Sequence, residues 1–366
     1  MPERTWWRAL AIPSLFYAGS RVVNLVGITI AARWNAQSFG SEIRRWDSAW
    51  FLKAATLGYP HYLPVHNGRV VSSTIAFFPL FPLTVRGLAD VTGLSPAAAG
   101  LGLSLITGLT ATLAVWGVVD HYAGRRIANR AAAAFAFFPG SFVFGMIYSD
   151  GLVLTLVALS LLALLRRQWL AAGILGALAT ASAPASLMLI PAGAWVAFLA
   201  LRRDGERRAL LAPVLTPVGF LAYQVWTFLH TGHANAWTLT ERQAWHSYLW
   251  LKFPFVVVER AVTQPFGHLK VTEIFLGAVF SAVALVLLAR HRPPAVVAIF
   301  AVASIALVLF TTPLGARPRM ILWAFPLVTV WGAVLGRIAF VVFIVLSAIG
   351  LGALTVFSLT SWVLVP

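Results

Sequence analysis

The sequence predicts an all-α polytopic membrane protein, one integral membrane domain over residues 1–366. Three observations carry that prediction. Apolar residues make up 60% of the chain and charged residues only 10%, against about 25% charged in a soluble domain. Mean hydropathy is +0.85. Apolar runs recur from end to end, as membrane helices require. Together these exclude a soluble globular enzyme and a disordered chain.

The first element follows MPERTWWR, whose apolar run is too long for a signal peptide. Arg4 and Arg8 fit a retained anchor with a cytoplasmic N-terminus. Eleven candidate spans follow from hydropathy: 9–32, 97–119, 131–148, 150–165, 169–183, 184–201, 209–230, 271–289, 294–312, 320–336 and 338–362. Several are shorter than the ~20 residues of a full crossing, so some must be tilted, joined or re-entrant. With the N-terminus inside, every compact Arg cluster falls in an inside loop: 120–130, 166–168, 202–208, 290–293 and Arg337. Two long loops, 33–96 and 231–270, then lie on the outer face. Residues 74–90 are apolar enough to challenge this parity, but Pro79, Pro82 and Arg86 interrupt them. They are expected to form a juxtamembrane or re-entrant helix. The rival is a true second span.

Net charge is +16, from 27 basic and 11 acidic residues. In a soluble protein that would point to nucleic acid. Here the basic clusters separate apolar runs and read as topology, so no nucleic-acid partner is expected. The 24 Arg against 3 Lys, with abundant Ala, are a compositional sign of a GC-rich bacterial genome, hence a bacterial plasma membrane. The absence of cysteine excludes disulfides, thiolate metal sites and a catalytic thiol. Nucleotide-binding glycine motifs, GxSxG, HExxH and Asp-x-Asp are all missing. No cofactor and no metal are expected.

Four clusters do not belong in a plain bundle. In Ser41–Pro60, Trp46, Trp50, Ala54 and Leu57 fall at i, i+4, i+8 and i+11, one apolar helical stripe. An interfacial helix explains it. Asp47 lies beside that stripe, between indole rings that raise a carboxyl pKa and arginines that lower it, so a general base is the alternative. In Phe137–Asp150, Ser149 or Asp150 can simply cap the next helix. As site residues, Tyr148 and Ser149 would face the outer aqueous surface. In Thr311–Pro326, Arg317 and Arg319 sit on the outer side against the charge rule. Such a pair suits a lipid phosphate, in a specific donor or in ordinary headgroups. The loop 231–270 interleaves His233, Glu241, Arg242, Trp245, His246, Trp250, Lys252 and His268, and looks like a second loop covering a site.

At these residues the chain resembles the PIG-V-like mannosyltransferases, in an actinobacterial-type form. RWDSAWFLKAATLGYP is similar to that family's first outer loop, AFFPLFPLTVR to its Phe-Phe-Pro-Leu element, FFPGSFVFGMIYSD to its Pro-Ala-Ser…Tyr-Ser-Glu element, and GARPRMILWAFPL to its late Pro-Arg element. The four blocks stand in family order across residues 41–326. Gly140 replaces the usual Ala, Asp150 the usual Glu, and ATASAPAS (179–186) lacks an expected Arg-containing turn.

The resemblance implies a GT-C glycosyltransferase bundle of about eleven transmembrane helices, with juxtamembrane helices in the first outer loop. It implies a polyprenyl-phosphate-sugar donor, most simply mannosyl, and a glycolipid, lipoglycan or protein acceptor on the outer face. Asp47 becomes the general base. Arg317 and Arg319, with Arg45, would hold the donor phosphate. Trp46 and Trp50 would pack the loop or stack on sugar, and Tyr148, Ser149 and Asp150 would line the cavity. Two other functions stay open. A lipid-linked sugar transporter would use polar residues within spans, of which Arg21 and Asn24 are the clear pair. An inactive GT-C-like partner subunit would account for the missing Arg turn.

Overall fold

The computed structural model describes residues 6–264 and 267–361. Arg4 of the expected anchor, Pro265 and Phe266 of the second long loop, and residue 362 of the last expected span lie outside the described residues. The described residues are mostly helix, with two short two-stranded pairings among them.

All eleven expected segments are largely helical, but they are not eleven full-length apolar helices. Five are long and apolar enough to cross a membrane: Ala9–Trp34, Pro96–Ala123, Pro184–Asp204, Leu269–His291 and Arg337–Thr360. Two bent pairs raise the number to seven if each counts as one span. The first runs Arg125–Phe137 into Pro139–Gly145 with a 71° bend, and the second Arg207–Leu215 into Val218–Thr231 with a 41° bend. Prolines mark the breaks, because a proline removes a ladder donor and crowds the preceding turn. Asp150–Leu165, Trp169–Thr180 and Ala295–Phe310 are apolar but shorter.

Residues 74–90 form a 3₁₀ turn, Thr74–Ala76, and a 13-residue helix, Leu80–Thr92. At 1.5 Å per residue that helix is about 20 Å long, short of a ~30 Å hydrocarbon core. It buries Phe81, Pro82 and Val85 against Asp47–Leu57 and Pro96–Ala123. Arg86 Nε donates to the Ala55 carbonyl at 2.6 Å, so its charge is spent inside the loop.

The middle of the bundle is the helix Arg125–Phe137 with the broken segment behind it. Ala131, Ala132, Ala134, Phe135 and Ala136 are fully buried. Small side chains there let the first helix, Pro326–Val334 and Arg337–Thr360 pack close. Two glycines in Pro139–Gly145 make a further approach possible. A Cβ at Gly140 would lie 2.2 Å from the Pro318 carbonyl oxygen, and one at Gly145 would lie 1.8 Å from Asn24 Oδ1. The departure from Ala at 140 thus has a steric cause.

The first long loop is tied down at its central hairpin and at one end. Its hairpin, Val65–His66 with Arg69–Val70, turns on Asn67–Gly68, both at positive φ, as a tight hairpin requires. Val70 N–H donates to Gln243 Oε1 of the second loop at 2.8 Å. Its N-terminal end meets the last turn of Arg337–Thr360. Trp46 Nε1 donates to the Ser358 carbonyl at 2.9 Å, while Asn35 and Arg45 donate to the Leu359 carbonyl.

Candidate active site

Three distant segments meet at one guanidinium. The helix Pro318–Trp323 presents Arg319 and Trp323 one turn apart, on the same face. Both reach Asp150, the first residue of Asp150–Leu165. Arg319 Nε and Nη2 donate to the two Asp150 oxygens at 3.0 and 3.1 Å, and Trp323 Nε1 donates to Oδ1 at 2.8 Å. The remaining Nη1 of Arg319 donates to Asp47 Oδ2 at 2.8 Å. Burial alone would lower the Arg319 pKa. Asp150, then Asp47, outweigh that and hold the guanidinium firmly protonated.

Both carboxylates open helices, where the positive end of the helix dipole favours an anion. Asp47 follows Trp46, whose φ of 57° is a strained setting for a non-glycine residue. The Trp46–Ser358 bond helps hold that strain. Asp47 N–H donates to the Tyr148 hydroxyl at 3.3 Å, and Ser48 Oγ accepts from Ile147 N–H at 3.2 Å. The Tyr148 ring centroid lies 4.5 Å from the Arg319 guanidinium carbon.

This cluster forms part of the wall of a cavity of about 850 Å³. Asp47, Ser149 and Arg319 line it. So do Phe51, Phe77, Phe78, Trp237, Tyr248, Met320 and Trp323, an apolar and aromatic surface with few polar groups. The stretch Ser182–Ala185, where the Arg turn is missing, lines it without a cation. Arg319 and Arg242 bring positive charge from other elements. Among the described residues, no group of three or more His, Asp or Glu could hold a metal ion.

The other expected residues are placed differently. Tyr148 and Ser149, expected to face water, are buried at 1% and 4% exposure, because the broken segment folds them under the first loop. The stripe is displaced too. Asp47–Leu57 buries Ser48, Phe51, Ala54 and Ala55, leaving Leu57 at 77% exposed. Trp50 stacks on Phe77 at 6.1 Å and meets Trp245 edge-on at 5.5 Å, so it joins the two long loops. Arg45 pairs with the buried Glu42 at 3.2 Å and serves the loop anchor. Arg317 is buried before the helix Pro318–Trp323, near Glu273, and burial lowers its pKa. Arg21 and Asn24, the pair on which a transporter would depend, bond to each other, to Ser141 and to Thr355 inside the scaffold.

Two further participants carry no motif of their own. Trp323 sits within the late block, yet only the folded helix aims its indole at Asp150. Glu241 lies in the second loop, visible in sequence only as one acid among several polar residues. Its signal is its setting: a carboxyl in the cavity wall, pushed up to about 7 by burial and the nearby Asp47 charge, against a Ser247 hydrogen bond that lowers it.

No protein-family description matches this sequence, and no curated protein matches it significantly. Solved structures do match in shape. ArnT from Cupriavidus metallidurans bound to undecaprenyl phosphate aligns over 90% of this chain at 16% identity, with a TM-score of 0.54. The apo form of the same protein gives 0.53 at 15% identity. The apo oligosaccharyltransferase of Archaeoglobus fulgidus aligns over the whole chain at 14% identity, with a TM-score of 0.52. The chain spans about 60% of the length of these structures: 60%, 61% and 57% in turn. At 14–16% identity the likeness is one of fold: this chain shares the helical membrane fold of ArnT and of the oligosaccharyltransferase.

Proposed function

We propose that the protein transfers a hexosyl residue, most simply mannosyl, from a polyprenyl-phosphate donor to an acceptor hydroxyl at the outer membrane face. On this reading it is a PIG-V-like member of the GT-C class. The observation that carries it is the placement of Asp47, on the wall of a large apolar cavity and held in posture by a buried arginine. A neighbour crystallised with undecaprenyl phosphate supports a lipid phosphate as the donor's leaving group.

The geometry supports the following chemistry. Asp47 takes the proton of an acceptor hydroxyl as that oxygen attacks the anomeric carbon. The bond from that carbon to the phosphate oxygen breaks, and its electron pair leaves with the lipid phosphate. At rest, Arg319 carries one positive charge between two carboxylates. When Asp47 becomes neutral, that charge is released toward the phosphate just as negative charge grows there. Asp150 and Trp323 keep Arg319 from following Asp47. Arg317 and Arg242 add positive charge for the donor. A glycolipid, lipoglycan or protein would supply the acceptor hydroxyl.

The test is transfer of radiolabelled mannose from polyprenyl-phosphate-mannose in membranes holding wild type or Asp47→Asn at equal levels. Transfer should fall by about 10²–10⁴ in the variant. Equal labelling by the two would remove Asp47 as the base.

A further inference from the structure

Glu241 is the second carboxyl of the cavity and has no part in the mechanism above. It stands on the turn Thr240–Ala244, three residues after Thr238, which lines the same wall. Asp47 is tied to Arg319. Glu241, by contrast, forms no ion pair among the described residues, and its carboxyl is hydrogen-bonded by the Ser247 side chain. The neighbouring Arg242 turns its guanidinium over the Tyr248 ring, 6.0 Å from the centroid. The turn is fixed in place. Gln243 accepts from Val70 N–H, Trp245 packs on Trp50 and Phe77, and Tyr248–Leu249 pairs with Thr311–Thr312.

Several ligands fail at such a group. A phosphate would be repelled by the carboxylate or find only one proton to share. A hydrocarbon chain would bury it without a partner, which costs several kcal/mol. A metal ion would need further acidic or histidine ligands, and the described residues supply no such group. A neutral polyhydroxyl ligand fits. Its hydroxyls donate to the carboxylate and to Thr238, while its C–H face packs on Trp237 or Tyr248.

We infer that Glu241 is a specificity-determining residue that binds a pair of hydroxyls on a hexose in this cavity. The inference deepens the transferase reading and rests on it. The hexose is either the donor's sugar or a sugar of the acceptor, and the chemistry of recognition is the same.

The experiment is binding, read by tryptophan fluorescence on the whole protein in detergent, since Trp237 and Trp323 line the cavity. Wild type, Glu241→Gln and Glu241→Ala are titrated with polyprenyl-phosphate-mannose, with bare polyprenyl phosphate, and with methyl mannoside in saturating polyprenyl phosphate. Equal affinity for the bare lipid shows that a variant is folded, and Glu241→Gln keeps the shape if Glu241→Ala does not fold. Wild type should prefer the glycosylated lipid or bind the methyl glycoside. The variants should lose about ten- to a hundredfold in one of those arms, the loss of hydrogen bonds to a charged group. Loss in the first arm assigns the donor sugar, and loss in the second the acceptor sugar. Unchanged sugar binding in both arms overturns the inference, as does a wild type that binds no sugar in either. Radiolabel transfer, run in parallel, decides the transferase reading separately, because binding does not require turnover.

Discussion

Arg21 and Arg319 are both almost completely buried in this bundle, and their surroundings are opposite. Arg21 meets no carboxylate among the described residues. It donates to the Ser141 carbonyl and hydroxyl at 2.8 and 2.9 Å, with Asn24 and Ser20 beside it and the Tyr17 and Phe144 rings within 5.1 and 5.5 Å. Arg319 meets two carboxylates, one sealed and one at a cavity wall. On the transferase reading, a buried cation satisfied by neutral groups holds structure. A buried cation shared by two anions holds its posture through one and answers the protonation of the other. Burial alone does not set Arg319 apart from Arg21; on the transferase reading, what shares the charge does.

The sharpest way to break that contrast is Arg319→Lys. Lysine keeps the charge but cannot grip Asp150 with two donors while a third reaches Asp47. Each hydrogen bond to a carboxylate that the ammonium cannot make costs about 1.5–3 kcal/mol, so thermal stability should fall clearly. Transfer by the protein that remains folded should fall by a hundredfold or more. Transfer near wild type would reduce Arg319 to a second Arg21.

Glu241 extends the contrast to pH. Its carboxyl is raised from 4.5 to about 7, so between those values the folded protein keeps a proton that the unfolded chain releases. Its effect on stability is therefore most favourable below about pH 4.5, is lost as pH rises to about 7, and is flat beyond. Glu241→Gln should raise stability at about pH 8 by up to about 3 kcal/mol and change it little near pH 4. Thermal midpoints at the two pH values read the difference. The same stabilisation at both would place the titration on another group.

The smallest effect is expected at Arg21→Met, which keeps much of the packing and leaves neutral acceptors behind. Unfolding should become easier by about 1–3 kcal/mol. Transfer per folded molecule should stay within about threefold. A larger loss of transfer would show that the Ser141 clamp sets the posture of Tyr148 and Asp150.

Part of this was legible in sequence. Helical identity survived in all eleven apolar segments, because composition and period report it directly. Their lengths did not, because a break at Phe138–Pro139 turns one expected span into a bent pair. The block around Asp47 marked the segment that meets Arg319 at the cavity wall. Its buried face was misassigned, since the strained Trp46 restarts the helix and Phe51 takes the inner side. The bond between Arg319 and Asp150 joins residues 169 positions apart, and no local pattern specifies such a partner. Glu241 was visible only as an acid in an aromatic loop. Its role depends on a cavity that exists only once the two loops meet.

The last turn of any α-helix leaves carbonyls without intrahelical donors. In Arg337–Thr360 those of Ser358 and Leu359 are capped by Trp46, Arg45 and Asn35 of the first loop. The cap is therefore also the hinge pin of the residue before Asp47. Fraying of that final turn and slackening of the Asp47 backbone are one mechanical event. Only 22% of the apolar stretch of that helix is buried. Whatever shifts its end along the membrane normal is felt one residue from the proposed base.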